Sequence, residues 1–235
     1  ENILFLAVKQ GNLNFIKDLF DWSMEAFDIN WKRSDGKVLV HIATLQDQIE
    51  ILGYLVEEKK ADVNVVDDDK NTALHYAASK TDKLEAYKYT KYLIMHGADI
   101  NQENRDKINP VSLYHNIHHI QLPFRVIFER DTNYLKYLFD EKEMKFKLNS
   151  ERFGGVTLVE TALECDKFDV VKYLKEERHA TINPSALTNR WFEKAKNFHL
   201  ADYEWLIQLD ADIKQGNKYG NTVLHTAASE SYYLQ

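Results

Sequence analysis

Residues 70–78 read Lys-Asn-Thr-Ala-Leu-His-Tyr-Ala-Ala. The stretch returns as Gly-Asn-Thr-Val-Leu-His-Thr-Ala-Ala at 220–228 and as Gly-Lys-Val-Leu-Val-His-Ile-Ala at 36–43. A second marker lies upstream of such segments: Asp62-Val63-Asn64 before Lys70, and Ala98-Asp99-Ile100-Asn101 before Lys107. The step between markers is six residues from Asn30 to Gly36, Asn64 to Lys70, Asn101 to Lys107 and Asn149 to Gly155, and Lys214 stands six before Gly220. One spacing held over that many copies is the signature of an internal repeat, and it redefines how the rest of the chain is read.

Composition agrees with a packed array. The 235 residues are 44% hydrophobic and 29% charged, which is globular and not disordered. Eight Gly and three Pro argue against collagen-like, linker-rich and turn-dense all-β chains. A single Cys excludes a disulfide framework and fits a reducing compartment. The 30 basic residues are spread among 37 acidic ones, for a net charge of −7, so no clustered positive surface is expected to track nucleic acid. No apolar run approaches the ~20 residues of a membrane helix. The chain starts at Glu1 and stops inside the repeat pattern, as a segment of a longer chain is expected to do.

The repeated residues resemble the ankyrin repeat, roughly G-x-T-P-L-H-x-A-A followed by a second helix and a closing G-A-D-V-N, over about 33 residues. The resemblance covers essentially the whole chain. It implies an all-α, ankyrin-repeat α-solenoid of about six to seven stacked helix-turn-helix repeats, forming a single domain over 1–235. Copy one is headless, on Leu4, Ala7, Gly11, Leu13, Ile16 and Leu19. Copies two to five start at Arg33, Asp67, Asn104 and Arg152. Copy six is degenerate, near Pro184 to Ala211, and copy seven begins at Asn217.

Local chemistry is expected to follow. Thr72 and Thr222 are placed to cap their helices by accepting from orphan N–H groups. The resemblance implies that His41, His75 and His225 bond across to a neighbouring turn. Ala43, Ala77, Ala78, Ala162, Ala227 and Ala228 let helices approach closely. Leu52, Leu55 and Val56, and Phe168, Val171 and Leu174, give the second helices an apolar stripe. Gly stands between the helices only at Gly11. Asp47 and Asp166 replace it; such residues are tolerable if the turn avoids positive φ, with Asp or Asn least costly, so the departure leaves the loop geometry open and not the fold.

Insertions fall in the first, third and fourth copies. Trp22, Met24 and Phe27 are expected to fold back onto the end of the stack. Copy three carries extra chain near Thr81-Asp82-Lys83. Copy four is long, with 48 residues from Lys107 to Gly155 against 34 from Gly36 to Lys70. Its excess, at roughly 115–126, is apolar: Ile117, Ile120, Leu122 and Phe124 extend a helix or plug a gap, with partner contact as the competing reading. In copy six, Trp191, Phe192, Phe198, Tyr203 and Trp205 suggest a larger core and an altered helix angle.

Nothing in the chain points to chemistry. Cys165 lies between Glu164 and Asp166, whose charges disfavour a thiolate, so it reads as a packed helix-end thiol. His115, His118 and His119 have helical spacing but lack a third ligand. Asp67-Asp68-Asp69 fall on a repeat tip, where solvent is the usual partner. No Gly-rich phosphate loop or Gly-x-Ser-x-Gly elbow is present. The segment therefore reads as non-catalytic, with no cofactor and no metal; a substrate-positioning role for a catalytic domain elsewhere in the chain is the alternative.

Similar proteins bind other proteins on the surface made by the finger tips and the exposed side of the first helices. By register, the residues placed there are Lys37, Asp68, Asp69, Tyr76, Lys80, Arg105, Phe153 and Tyr219. Tyr76, Arg105 and Tyr219 carry the types that most often dominate binding energy. The resemblance and the irregular insertions together suggest a monomeric cytoplasmic protein, or a bacterial effector delivered into a host cytosol or nucleus and acting on host proteins. Asn101, eight residues after Leu93, also matches the kind of site that an asparaginyl hydroxylase modifies in similar proteins.

Overall fold

The structure is a computed structural model. It describes residues 3–22, 27–142, 144, 146–149, 151–152, 155–183, 214, 216, 219–222 and 225. The chain forms two compact units: Glu1–Arg125 with Tyr137–Met144, and Val126–Lys136 with Lys145–Gln235.

In the first unit, α1 (Ile3–Lys9) and α2 (Leu13–Trp22) form the first helix pair. The second pair is α3 (Leu39–Leu45) and α4 (Ile49–Gly53), which runs on into a wider π-type turn over Tyr54–Glu58. The third is α5 (Ala73–Ala78) and α6 (Lys83–Met95), and α7 (Pro110–His118) opens the fourth. Helices α8 (Leu122–Phe128) and α9 (Thr132–Asp140) contain the first two of the three boundaries between the units. In the second unit, β1 (Glu151–Arg152) pairs antiparallel with β2 (Val156–Thr157), followed by α10 (Leu158–Glu164) and α11 (Phe168–Lys172) with its own π-type turn over Tyr173–Glu177.

Helices this short are unstable alone, so their stability comes from stacking. In the first unit α1 packs on α3, α3 on α5 and α5 on α7. Ala43, Ala77 and Ala78 are fully buried along that stack, and Ala162 is buried in the second unit, as close helix approach requires. The fold is all-α, with ankyrin-type stacking of helix pairs in the first unit; the only strands among the described residues are β1 and β2.

Four points left by the sequence are decided by the structure. The turn between helices does not avoid positive φ: Asp47 and Asp166 both sit at 56°. Lys60 and His179 at 56°, Lys70 at 61° and Lys107 at 58° are left-handed as well, at positions where sister copies place Gly97, Gly36, Gly155 or Gly220. Each such L-residue costs about 1 kcal/mol. Second, the extra chain of copy three is not at Thr81-Asp82-Lys83. Asp82 caps α6 and stands 34 residues after Gln48, which precedes α4, whereas Gly97 stands 37 after Lys60. The excess lies inside the 13-residue α6.

Third, Trp22 is 89% exposed and does not fold back onto the stack, although Phe27 meets the Phe20 ring edge-on at 6.0 Å. Fourth, of the two readings of the copy-four insertion, helix extension fails, while Leu122 and Phe124 are buried as gap-filling residues are. His119 ends α7 at φ 54°, and Leu122 and Phe124 begin α8 fully buried, while Ile117 is exposed. Met24, Phe153 and the copy-six aromatics lie outside the described residues, as do Ala227 and Ala228. Among the described residues no helix is long and apolar enough to cross a membrane.

Candidate functional site

Each finger of the first unit closes with the same pair of backbone bonds. Arg33 N donates to Lys37 O (2.9 Å) and Gly36 N to Arg33 O (2.9 Å). Asp67 with Asn71 and Lys70, and Asn104 with Ile108 and Lys107, repeat the pair at 3.0–3.1 Å. The first residue of a finger also fastens it from within. Asp67 Oδ1 accepts from Asp69 N (3.0 Å) and Asn71 N (2.8 Å). Asn104 Oδ1 accepts from Asp106 N (3.0 Å) and Ile108 N (3.1 Å).

The fingers then join edge to edge. Asp68 N donates to Asp35 O (3.3 Å), and Arg105 N donates to Asp69 O (2.8 Å). The Arg105 guanidinium adds a bond to Asp68 O (2.6 Å) and an ion pair to Asp69 (3.1 Å). A Cβ on Gly36 would lie 2.5 Å from Asp68 N, so only glycine allows the second and third fingers to approach this closely.

Below the tips, histidines tie helix starts to the next finger. His75 Nε2 faces Ile108 O at 3.0 Å. A carbonyl only accepts, so Nε2 carries the proton and Nδ1 is the acceptor. Nδ1 takes bonds from Thr72 N (3.1 Å) and from the Thr72 hydroxyl (2.9 Å). The Thr72 hydroxyl thus donates to the histidine within a capping box, and the histidine supplies the acceptor for the Thr72 amide. His41 does the same between Val38 N (3.0 Å) and Val65 O (2.9 Å). Burial lowers the pKa of both rings, to about 4 at His41, against the opposing pull of Asp67 and of each carbonyl bond. Thr222 and His225 repeat the Nδ1 contacts at 3.2 and 2.8 Å.

Residues 4–104 match the family described as ankyrin repeats (3 copies). Residues 4–104 carry ankyrin repeats. An alpha-latroinsectotoxin from Latrodectus tredecimguttatus is 35% identical over 79 residues, which is 34% of this chain and 5% of that protein. Palmitoyltransferase akr1 of Schizosaccharomyces pombe is 40% identical over 70 residues, 30% of this chain and 10% of the enzyme. Ankyrin repeat domain-containing protein 53 of Macaca fascicularis is 26% identical over 107 residues, 46% of this chain and 21% of that protein. The chain thus spans between a twentieth and about a fifth of these relatives.

The ankyrin fingers sort the candidate residues. Asp68, Asp69 and Arg105 come together on adjoining tips with exposed side chains. Lys37, Tyr76 and Lys80 are engaged internally. The Tyr76 hydroxyl donates to the Asp67 carboxylate, and burial with that bond raises its pKa. Lys37 pairs with Asp35 (3.1 Å) and Asp67 (3.8 Å) and lies 5.7 Å from the Tyr76 ring centre. Lys80 pairs with Asp47 and covers the Tyr89 ring. Tyr219, in the second unit, is exposed. Phe153 lies outside the described residues.

Asp67 was missed as a hub. It is 5% exposed, not turned to solvent. Its position, first in the finger and in register with Asn104, is the signal that separates it from Asp68 and Asp69.

The Asn markers have structural employment. Asn64 accepts from Asp99 N (2.8 Å) and donates to Gly97 O (3.1 Å), while Asn30 and Asn149 accept from Asp62 N (3.2 Å) and Thr181 N (3.0 Å). Asn101 is exposed and borders an open cavity of about 270 Å³ with Asp99, Glu141 and Lys142. His118 is buried while His115 and His119 are exposed, so the three do not converge, and no group of His, Cys, Asp or Glu among the described residues is placed to hold a metal.

Proposed function

We propose that this segment is a non-catalytic protein-recognition module that binds its partner on the adjoining tips of the third and fourth fingers, around Asp68, Asp69 and Arg105. Ankyrin repeats generally mediate protein–protein contact, and one observation supports this location. The tips are held by backbone bonds and by the Asp67 carboxylate, which leaves the Asp68 carboxylate exposed to a ligand, while the side chains of Asp69 and Arg105 meet in an exposed ion pair. A pre-ordered site loses little entropy on binding, and an exposed pair of this kind is worth under about 1 kcal/mol to the fold, so it can be exchanged for partner contacts.

The partner that fits is a protein surface of mixed charge, met by a monomer. Tyr76 shapes the floor of this site instead of contacting the partner. Delivery into a host cell is supported by composition and the irregular insertions alone; detecting the chain in an infected host's cytosol tests it. The competing role, positioning substrate for a catalytic domain elsewhere in the polypeptide, predicts a partner that is chemically altered during the encounter.

The test captures partners from a lysate on immobilised residues 1–235, in parallel with Asp69→Ala/Arg105→Ala and Tyr76→Phe. A stoichiometric protein lost only with the double variant supports the site. Retention by the double variant, with helicity intact, moves recognition away from these tips.

A further inference from the structure

The first helix pair presents an apolar face at the positions the second pair buries. Register is set by matching bonds: Asn12 N donates to Ala7 O (3.1 Å) as Gln48 N does to Ala43 O (2.9 Å), so the two pairs are 36 residues apart. Ile3, Leu6 and Phe15 then correspond to Leu39, Ile42 and Ile51. The first three are 46%, 45% and 38% exposed; their counterparts are 2%, 4% and 1% exposed. Chemistry is conserved between the two sets while burial is not. Leu39 and Ile42 belong to α3, which is covered by α1. Trp22 corresponds to Glu58, which is itself exposed, and so is not part of this face.

One polar position points the same way. Asp18 corresponds to Tyr54, whose ring meets the Phe20 ring at 6.2 Å and lies 5.5 Å from the Lys17 ammonium, both from the preceding pair. A helix pair stacked on α1 and α2 in the same way would bring its own Lys17-like cation to the exposed Asp18.

We propose that this face is the docking surface for one more ankyrin-type helix pair of the same polypeptide, lying immediately ahead of Glu1, with apolar residues toward Ile3, Leu6 and Phe15 and a cation toward Asp18. The occupant follows from continuity with the α1–α3 interface: at the matching positions of the second pair, Leu39 and Ile42 are covered by the pair that precedes them. Three large exposed side chains in helical register form a patch, not the scattered single residues that need no explanation. Tethering on the same chain gives the pair a high effective concentration, so the small face suffices. The inference holds whichever protein the finger tips bind.

The test reads the natural coding sequence ahead of Glu1 and compares residues 1–235 with the chain extended by that sequence. The expected result is a helix pair there, a higher urea midpoint in the extended chain, and slowed amide exchange at Leu6 and Phe15. Leu6→Lys and Phe15→Lys should lower the midpoint strongly in the extended chain and little in residues 1–235, a contrast that general misfolding would not produce. An initiator Met directly ahead of Glu1, or equal losses in both chains, overturns the proposal. So does a concentration-dependent dimer of residues 1–235 abolished by Phe15→Lys, which would assign the face to a second copy.

Discussion

Helices α5 and α10 begin on the same plan with different chemistry. At α5, Thr72 is followed three residues later by His75; at α10, Thr157 is followed by Glu160. Glu160 accepts from Thr157 N (2.8 Å) and from the Thr157 hydroxyl (3.0 Å), and Thr157 Oγ1 accepts from Glu160 N (3.3 Å), a reciprocal capping box. His75 makes the same two back-bonds through Nδ1, but has a protonated Nε2 on its far side that reaches Ile108 O, 33 residues on. An ionised carboxylate has no proton to offer a neighbouring carbonyl. Histidine therefore caps its own helix and clamps the next finger, whereas glutamate only caps. Repeats with the first arrangement are coupled by a bond that those with the second lack.

The largest test of that difference is His75→Ala. It leaves the buried Thr72 N–H without a partner, at about 1–3 kcal/mol, and takes from the Ile108 carbonyl one of the two bonds it accepts, at about 1 kcal/mol, so a loss of about 3 kcal/mol is expected in urea denaturation. His75→Glu should recover about 1 kcal/mol, the capping share, and not the clamp. Full recovery by glutamate would show that the bond to Ile108 contributes nothing.

Acid should separate the two arrangements next. The His41 pKa is about 4 in the fold and about 6.5 when unfolded. Between those values the unfolded chain binds the extra proton, so stability is complete above pH 6.5 and is lost as pH falls toward 4. The total is roughly 3 kcal/mol at the lower end. His41→Gln keeps an N–H for Val65 O and has no such titration. Its stability should start lower at pH 7 and fall less between pH 6.5 and 4; parallel profiles for the two proteins would refute the assignment. Glu160→Ala comes third, at about 1 kcal/mol, since it removes a cap and no clamp.

The sequence spoke most clearly where one residue type has one physical use. Thr-x-Leu-His and the six-residue step from Asn located every described finger and the helix after it, and small alanines marked the stacking seam. Direction of bonding was harder to read. Thr72 can donate or accept, and only the position of Ile108 O fixes the tautomer of His75 and so the role of Thr72. Adjacent like residues hid the hub, because Asp67, Asp68 and Asp69 differ only in how the finger turns them. An insertion is legible where the residue types break the repeat, but three extra residues inside α6 keep helical character and leave no such trace. Of the binding candidates, the exposed pair Asp69 and Arg105 was visible by register. That Lys37, Tyr76 and Lys80 are engaged within the protein was not, since their partners lie on other copies or across a turn.

The smallest expected effect concerns the left-handed positions. Finger two has Gly36 at φ 75° and finger three has Lys70 at φ 61°, so one turn is built from two residue types. Gly36 answers two demands, a positive φ and room for Asp68, whose amide would lie 2.5 Å from any Cβ. Gly220, at φ 77°, meets only the first, with nothing within 4 Å of where a Cβ would be. Lys70 belongs with Gly220 if its side chain merely tolerates the turn. Lys70→Gly would then remove a backbone cost of about 1 kcal/mol. Part of that gain is cancelled by the greater freedom glycine gives the unfolded chain, leaving a net stabilisation of about 0.5 kcal/mol. Lys60→Gly should gain a similar amount after α4, where copy three already has Gly97 at φ 94°. A loss of stability in Lys70→Gly would show instead that the lysine side chain holds its finger in place, and that the second and third fingers differ in mechanism as well as in residue.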